Sequence, residues 1–142
     1  MAARLPPGGP PAVILAADTE VVLDGRLLGK PRDAADAARM LRDLRGREHE
    51  VITGLAVVET GGPVVPPGPE TTSVTSRVRM GEYSEAEIAA YVETGEPLDK
   101  AGGYAVQGLG GRLVAAVEGC FTNVVGLPLT TARGLLARRG LL

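Results

Sequence analysis

Tryptophan is absent from this chain, cysteine occurs once, and aromatic residues fill only 3% of its 142 positions. The lone thiol, Cys120, excludes an intrachain disulfide framework and any zinc site built from several thiolates; it agrees with a reducing compartment, so a cytoplasmic location is expected. So few rings leave little for the stacking platforms of single-strand nucleic-acid binders. Charge of one sign is lacking as well, since 15 Lys and Arg stand against 17 Asp and Glu, for a formal net charge of -2. That balance gives no pull toward nucleic acid or an anionic membrane. No apolar run is long enough to span a bilayer, and the opening segment, with Pro6, Pro7, Pro10 and Pro11, lacks the basic start and apolar stretch of an export signal. A small-molecule ligand is therefore expected, with no nucleic acid and no membrane as partner.

What is present predicts one domain over 1–142, with 1–11 a remnant or disordered lead-in. Ala12 to Ala17 is a short apolar run ending in Asp18-Thr19, the pattern of a buried strand that delivers polar groups at its carboxyl end. Val21 and Val22 continue the strand character, and Asp24-Gly25 is a hairpin signal before Arg26 to Leu28, an alternative reading that puts Asp18 and Thr19 within one sheet. Asp33 can cap a helix over Ala34 to Leu44, with Ala34, Ala37, Ala38, Leu41 and Leu44 on one face and Gly46 at its end. Val51 to Val58 reads as a second buried strand. Thr60 to Glu70, with four prolines and three glycines, reads as a solvent loop leading to a strand over Thr71 to Met80 that pairs antiparallel with the preceding one. Ser84 and Glu87 form a capping box for a short helix that buries Ile88, Tyr91 and Val92 and stops at Gly95. Glu96 to Gly111 has the composition of a binding loop, Leu113 to Val117 returns to strand, and a last helix has Pro128 in its first turn with Leu129, Leu135 and Leu136 inward. The alternation predicts an α/β fold with a mixed sheet flanked by helices. Met1 to Leu5 reads as the end of a preceding helix, so the first strand-helix unit of such a fold is expected to be missing.

Three polar clusters could carry chemistry. Asp18 can bind Mg²⁺ or take a proton from water, and Lys30, just before a helix, can neutralise phosphate oxygens; an Asp and a Lys flanking a hairpin are equally often solvated turn residues. Asp99 to Gly108 combines glycines that allow close backbone approach with Lys100 and with Gln107, whose amide carries both donors and an acceptor for a base edge. The bland alternative is a surface loop. Gly108, Gly110 and Gly111 do not make a dinucleotide loop, because Leu113 takes the third glycine position and a strand follows. In Glu118 to Asn123, Thr122 and Asn123 are expected to hold a turn. A nucleophilic dyad of Cys120 with His49 is formally open, but no signature surrounds either residue; His49 is expected at the lip of a strand, with Glu50 a weaker candidate ligand.

Taken in order, Ala-Asp-Thr at 17–19, Leu-Gly-Lys-Pro at 28–31, His-Glu-Val-Ile-Thr-Gly at 49–54, Tyr-Val-Glu-Thr-Gly-Glu-Pro-Leu-Asp-Lys-Ala-Gly-Gly-Tyr-Ala-Val-Gln-Gly at 91–108 and Asn-Val-Val-Gly-Leu-Pro at 123–128 resemble the Maf (septum-formation) family from about Pro11 onward. The resemblance implies a Maf/inosine triphosphate pyrophosphatase-like fold and hydrolysis of nucleoside triphosphates to monophosphate and pyrophosphate with a divalent cation, Mg²⁺ or Mn²⁺. It further implies Asp18 as proton acceptor or metal-associated carboxylate, Lys30 and Lys100 facing the phosphates, and Asp99 supporting their loop. Thr19 and Gln107 match positions tied to base preference, in the manner of the branch acting on dTTP and UTP. Family members begin with a strand ending in a Ser-x-Ser-Pro-Arg-Arg type loop; this sequence lacks it, and Arg4 stands in a different context. The alternative expectation is thus a catalytically impaired nucleotide-binding or interaction module, with a homodimer covering the strand edge that a missing element would expose.

Overall fold

The computed structural model describes residues 9–61 and 68–142. The reading of Met1 to Leu5 as a helix end, the context of Arg4, and the middle of the proline-rich connection at 62–67 lie outside the described residues. Five strands form one sheet in the order β2-β1-β3-β4-β5, with β1 at Ala12–Leu23, β2 at Arg26–Leu28, β3 at Glu48–Thr60, β4 at Glu70–Met80 and β5 at Val114–Glu118. The helices are α1 (Ala34–Leu44), α2 (Glu85–Glu93), α3 (Phe121–Val125) and α4 (Leu129–Ala137), and short 3-10 turns cover Glu96–Asp99, Ala101–Gly103 and Leu109–Leu113. Among the described residues no helix is long and apolar enough to cross a membrane.

The α/β architecture with flanking helices follows the sequence pattern. Its parallel component, however, lies across one strand rather than between neighbours. β2 and β3 both run antiparallel to β1, which sits between them, so they are parallel to each other and α1 joins them in a split β-α-β unit. Neighbouring strands in the described residues are all antiparallel, in place of the mixed pairing expected. Asp24 (φ 49) and Gly25 (φ 76) close the first hairpin with the paired positive angles of a type I′ turn.

Period-two alternation sets which face of the sheet is covered. Val21 and Leu23 of β1, Val51, Leu55 and Val57 of β3, and Val78 and Met80 of β4 are buried, while their sequence neighbours turn outward. Leu41 and Leu44 of α1 and Ile88 and Tyr91 of α2 pack on one end of this face, and Leu135 of α4 packs with Leu55 and Val57 at the other. Asp33 caps α1 by accepting the Asp36 N–H at 2.8 Å, and Ser84 and Glu87 make the reciprocal box expected for α2.

Three expectations are corrected. β1 runs unbroken through Asp18-Thr19, which lie in its middle and not at its carboxyl end, because Glu20, Val21 and Val22 continue the ladder to β3. β3 starts at Glu48, so His49 lies inside the strand. Leu129, expected inward, is 50% exposed, while Leu135 is buried as expected, Leu136 is half-buried and Ala132 joins the core: Leu129 opens α4, directly after Pro128, and the helical period turns the residues three and six positions later toward the sheet.

Candidate active site

The strand β1, the turns between Glu96 and Gly108 and the end of α3 enclose a cleft of about 680 Å³. Asp18, Thr19, Lys30, Asp99, Lys100 and Gln107, all singled out from the sequence, line it together, with Val21, Val51, Val124 and Val125 supplying apolar wall.

Two features of β1 shape the cleft's floor. β2 pairs only with Val21, Val22 and Leu23, so at Asp18 and Thr19 the strand has no neighbour on that side among the described residues. Asp18 faces Gly54 across the ladder, so no side chain covers its carboxylate from that position; it also borders a shallower depression of about 350 Å³ with Gly54, Ala56 and Thr71. Thr19 turns to the helix-covered face, where its hydroxyl meets that of its cross-strand partner Thr53 at 2.8 Å and reaches the Gly126 carbonyl at 3.3 Å. Behind Thr53, the fully buried Asn123 donates to the Val51 carbonyl and the Ser76 hydroxyl, each at 3.0 Å. The Thr122 hydroxyl accepts the Leu129 N–H at 3.0 Å, so Thr122 and Asn123 hold a turn, as expected, and the turn they hold is α3, whose Val124 and Val125 wall the cleft.

The glycine-rich stretch is ordered by 3-10 turns rather than by a long irregular loop. Gly102 (φ +72) donates its N–H to the Gly29 carbonyl at 3.1 Å and lies so close to β1 that a Cβ would stand 3.0 Å from a Val21 methyl. Gly103 (φ +75) packs on Pro31. These contacts bind the segment carrying Lys100 to the segment carrying Lys30. Lys100 pairs with Asp99 at 3.4 Å, both with substantial exposure, a contact worth little stability in water.

Two relationships were missed in the sequence. His49, only 2% exposed, shares a 2.7 Å hydrogen bond with the hydroxyl of Tyr104, a cleft-lining residue, and burial pushes its imidazole down from 6.5 to about 4. Its place was readable as the first of the inward series His49, Val51, Thr53, Leu55, Val57. Glu96 lines the cleft and accepts from the Tyr91 hydroxyl at 2.7 Å and from the N–H groups of Leu109 and Gly110 at 3.0 Å. Desolvation would raise its carboxyl, but these donors outweigh that and hold it below the usual range. No short motif signals bonds that join residues 13 and 14 apart.

The Cys120–His49 dyad does not form. His49 bonds Tyr104, whereas the Cys120 thiol contacts the Thr122 hydroxyl at 3.2 Å, which with nearby backbone N–H groups lowers it from its ordinary value. Glu50 is exposed on the opposite side of β3 and is not part of the lining.

For a cation, the described residues contain no group of three His, Cys, Asp or Glu able to hold one. Glu96 is committed to its three donors, which leaves Asp18 and Asp99, the latter in an exposed pair with Lys100, as the acidic residues of the lining available to a cation. One or two carboxylates suit a Mg²⁺-type ion that completes its shell with water and phosphate oxygens, and do not suit an all-protein cage.

Comparison with known proteins matches the sequence to a family. The family described as "Maf-like protein" matches residues 1–139. The chain is 51% identical over 129 residues to a "dTTP/UTP pyrophosphatase" of Dictyoglomus turgidum, covering 91% of this chain and 65% of that protein. It is 52% identical over 139 residues to the protein of the same name from Anaeromyxobacter dehalogenans, covering 97% and 69%, and 53% identical over 127 residues to that of Moorella thermoacetica, covering 89% and 63%. The chain therefore spans about two thirds of the length of the curated relatives it matches. By the extent of the family match and by this identity, the protein belongs to the Maf-like protein family.

Proposed function

We propose that this protein, as one domain, hydrolyses dTTP and UTP, or modified nucleotides of the same kind, to the monophosphate and pyrophosphate. The observation that carries the reading is the shared cleft: one carboxylate on an uncovered stretch of strand, two lysines and an amide line a single cavity large enough for a nucleotide. The names of the relatives point to the same chemistry.

In this reading Asp18 accepts a proton from the water whose oxygen attacks the α-phosphorus. The bond from that phosphorus to the bridging oxygen breaks, and pyrophosphate leaves. Lys30 and Lys100 bear on the phosphate oxygens and offset the charge that accumulates there; Asp99 orients Lys100. Thr19 and Gln107 face the base, where the Gln107 amide can pair with both the carbonyl and the N–H of a uracil or thymine edge. Mg²⁺ or Mn²⁺, held by Asp18, would neutralise charge on the phosphates when bound. We further place the protein in the cytoplasm as a homodimer, since β1 from Ala12 to Glu20 has an unpaired edge among the described residues that a second copy could cover.

A second reading, a nucleotide-binding module without turnover, is favoured by one observation: among the described residues the lining offers two lysines and no arginine to a triphosphate. Phosphorus NMR of the protein with dTTP, UTP and CTP and each metal separates the two. Equimolar monophosphate and pyrophosphate supports hydrolysis, ligand line broadening without products supports the module, and the absence of both excludes a nucleotide site.

A further inference from the structure

Gln107 is exposed, and its backbone is bracketed on both sides by bonds that lead to one carboxylate. Before it, the Ala105 N–H donates to the Tyr91 hydroxyl at 3.1 Å, and that hydroxyl donates to Glu96 at 2.7 Å. After it, Leu109 and Gly110 donate their N–H groups directly to Glu96 at 3.0 Å. The backbone also presses on these side chains, because a Cβ at Gly108 would stand 2.5 Å from a Glu96 oxygen and one at Gly110 2.5 Å from the Tyr91 hydroxyl oxygen. Charge-assisted bonds to backbone N–H groups are among the stronger hydrogen bonds.

We propose that Glu96, acting with Tyr91, is a positioning residue that fixes Gln107 at the cleft wall and thereby sets nucleobase selection; the inference rests on the reading of Gln107 given above. Although Glu96 lines the cleft, its carboxylate is turned to donors of its own chain and does not share the role of Asp18. Its contribution acts through the placement of 105–110. Nucleobases of the wrong hydrogen-bonding pattern are then disfavoured because the held backbone limits how far the Gln107 side chain can be displaced to meet them.

The test compares the wild-type protein with Glu96→Gln, which keeps the shape but replaces one acceptor oxygen by a donor, and with the milder Tyr91→Phe. Amide hydrogen exchange at Leu109 and Gly110 is expected to accelerate roughly tenfold in Glu96→Gln, as for loss of one charge-assisted bond. KM for UTP should rise by about the same factor, with kcat within about threefold and a smaller preference for UTP over CTP. Tyr91→Phe should speed exchange at Ala105 and shift KM in the same direction. Unchanged exchange at 109 and 110 would overturn the proposal, as would a collapse of kcat at constant KM, which would make Glu96 a reacting group. Absence of turnover in the wild type would overturn the base-selection half together with the proposed activity, and the exchange result would still decide the positioning half.

Discussion

The imidazole of His49 and the phenol of Tyr104 meet at 2.7 Å beneath the cleft, their rings edge to face with centroids 5.5 Å apart and planes at 83°. Nδ1 of His49 is buried without a protein partner, so a proton added to the ring would be stranded. This arrangement links strand β3 to a wall of the cleft through one neutral histidine.

A pH dependence of stability follows from that burial. The unfolded chain takes up a proton on this side chain near pH 6.5, whereas the folded ring resists until about 4. Unfolding is therefore favoured as pH falls through this window. The His49 contribution lost between pH 6.5 and 5 is about 2 kcal/mol. Urea unfolding at several pH values should show this slope in the wild type and its loss in His49→Gln. Parallel slopes in the two proteins would mean that the histidine is not responsible.

Two glycines separate backbone strain from packing. Both have positive φ, +78 at Gly95 and +72 at Gly102, yet a Cβ at Gly95 meets nothing within 4 Å while one at Gly102 would stand 3.0 Å from a Val21 methyl. Gly95→Ala should cost about 1 kcal/mol from conformation alone. Gly102→Ala should cost about 2–3 kcal/mol and loosen the link between the Lys100 and Lys30 segments. Denaturant unfolding of the two variants measures the difference, and equal costs would contradict the close packing of Gly102 on β1.

Much of this architecture is legible locally. Asp24-Gly25, the Asp33 cap and the Ser84–Glu87 box each state a turn or helix end through the conformational needs of a few adjacent residues. The candidate residues were legible through their chemistry and their motifs, and the fold brings all six into one lining. Less legible was what tertiary packing decides. The outward pair Glu48 and Glu50 obscured the inward turn of His49, and Asp18 looked like a strand end because its polarity interrupts an apolar run. The Glu96 bonds to Leu109 and Gly110 join residues whose spacing matches no periodic element, so only the folded chain reveals them.

Lys30 offers a test of the phosphate end of the cleft. It is exposed and lies outside the regular elements, so Lys30→Gln should leave the melting temperature within about a degree of wild type. Under the proposed mechanism it should lower kcat/KM for UTP by roughly a hundredfold, through lost stabilisation of phosphate charge. Steady-state kinetics beside a thermal melt decides it; an unchanged kcat/KM would remove Lys30 from the phosphate site.

The most direct test of the account is the rate of pyrophosphate release from UTP and dTTP, with Mg²⁺ or Mn²⁺, by the wild-type protein and by Asp18→Asn. Asp18 is exposed on β1 opposite Gly54, so the substitution should leave the fold intact while removing the proton acceptor. The account predicts release by the wild type and a fall of at least about a hundredfold in Asp18→Asn. Equal rates in the two proteins would contradict it.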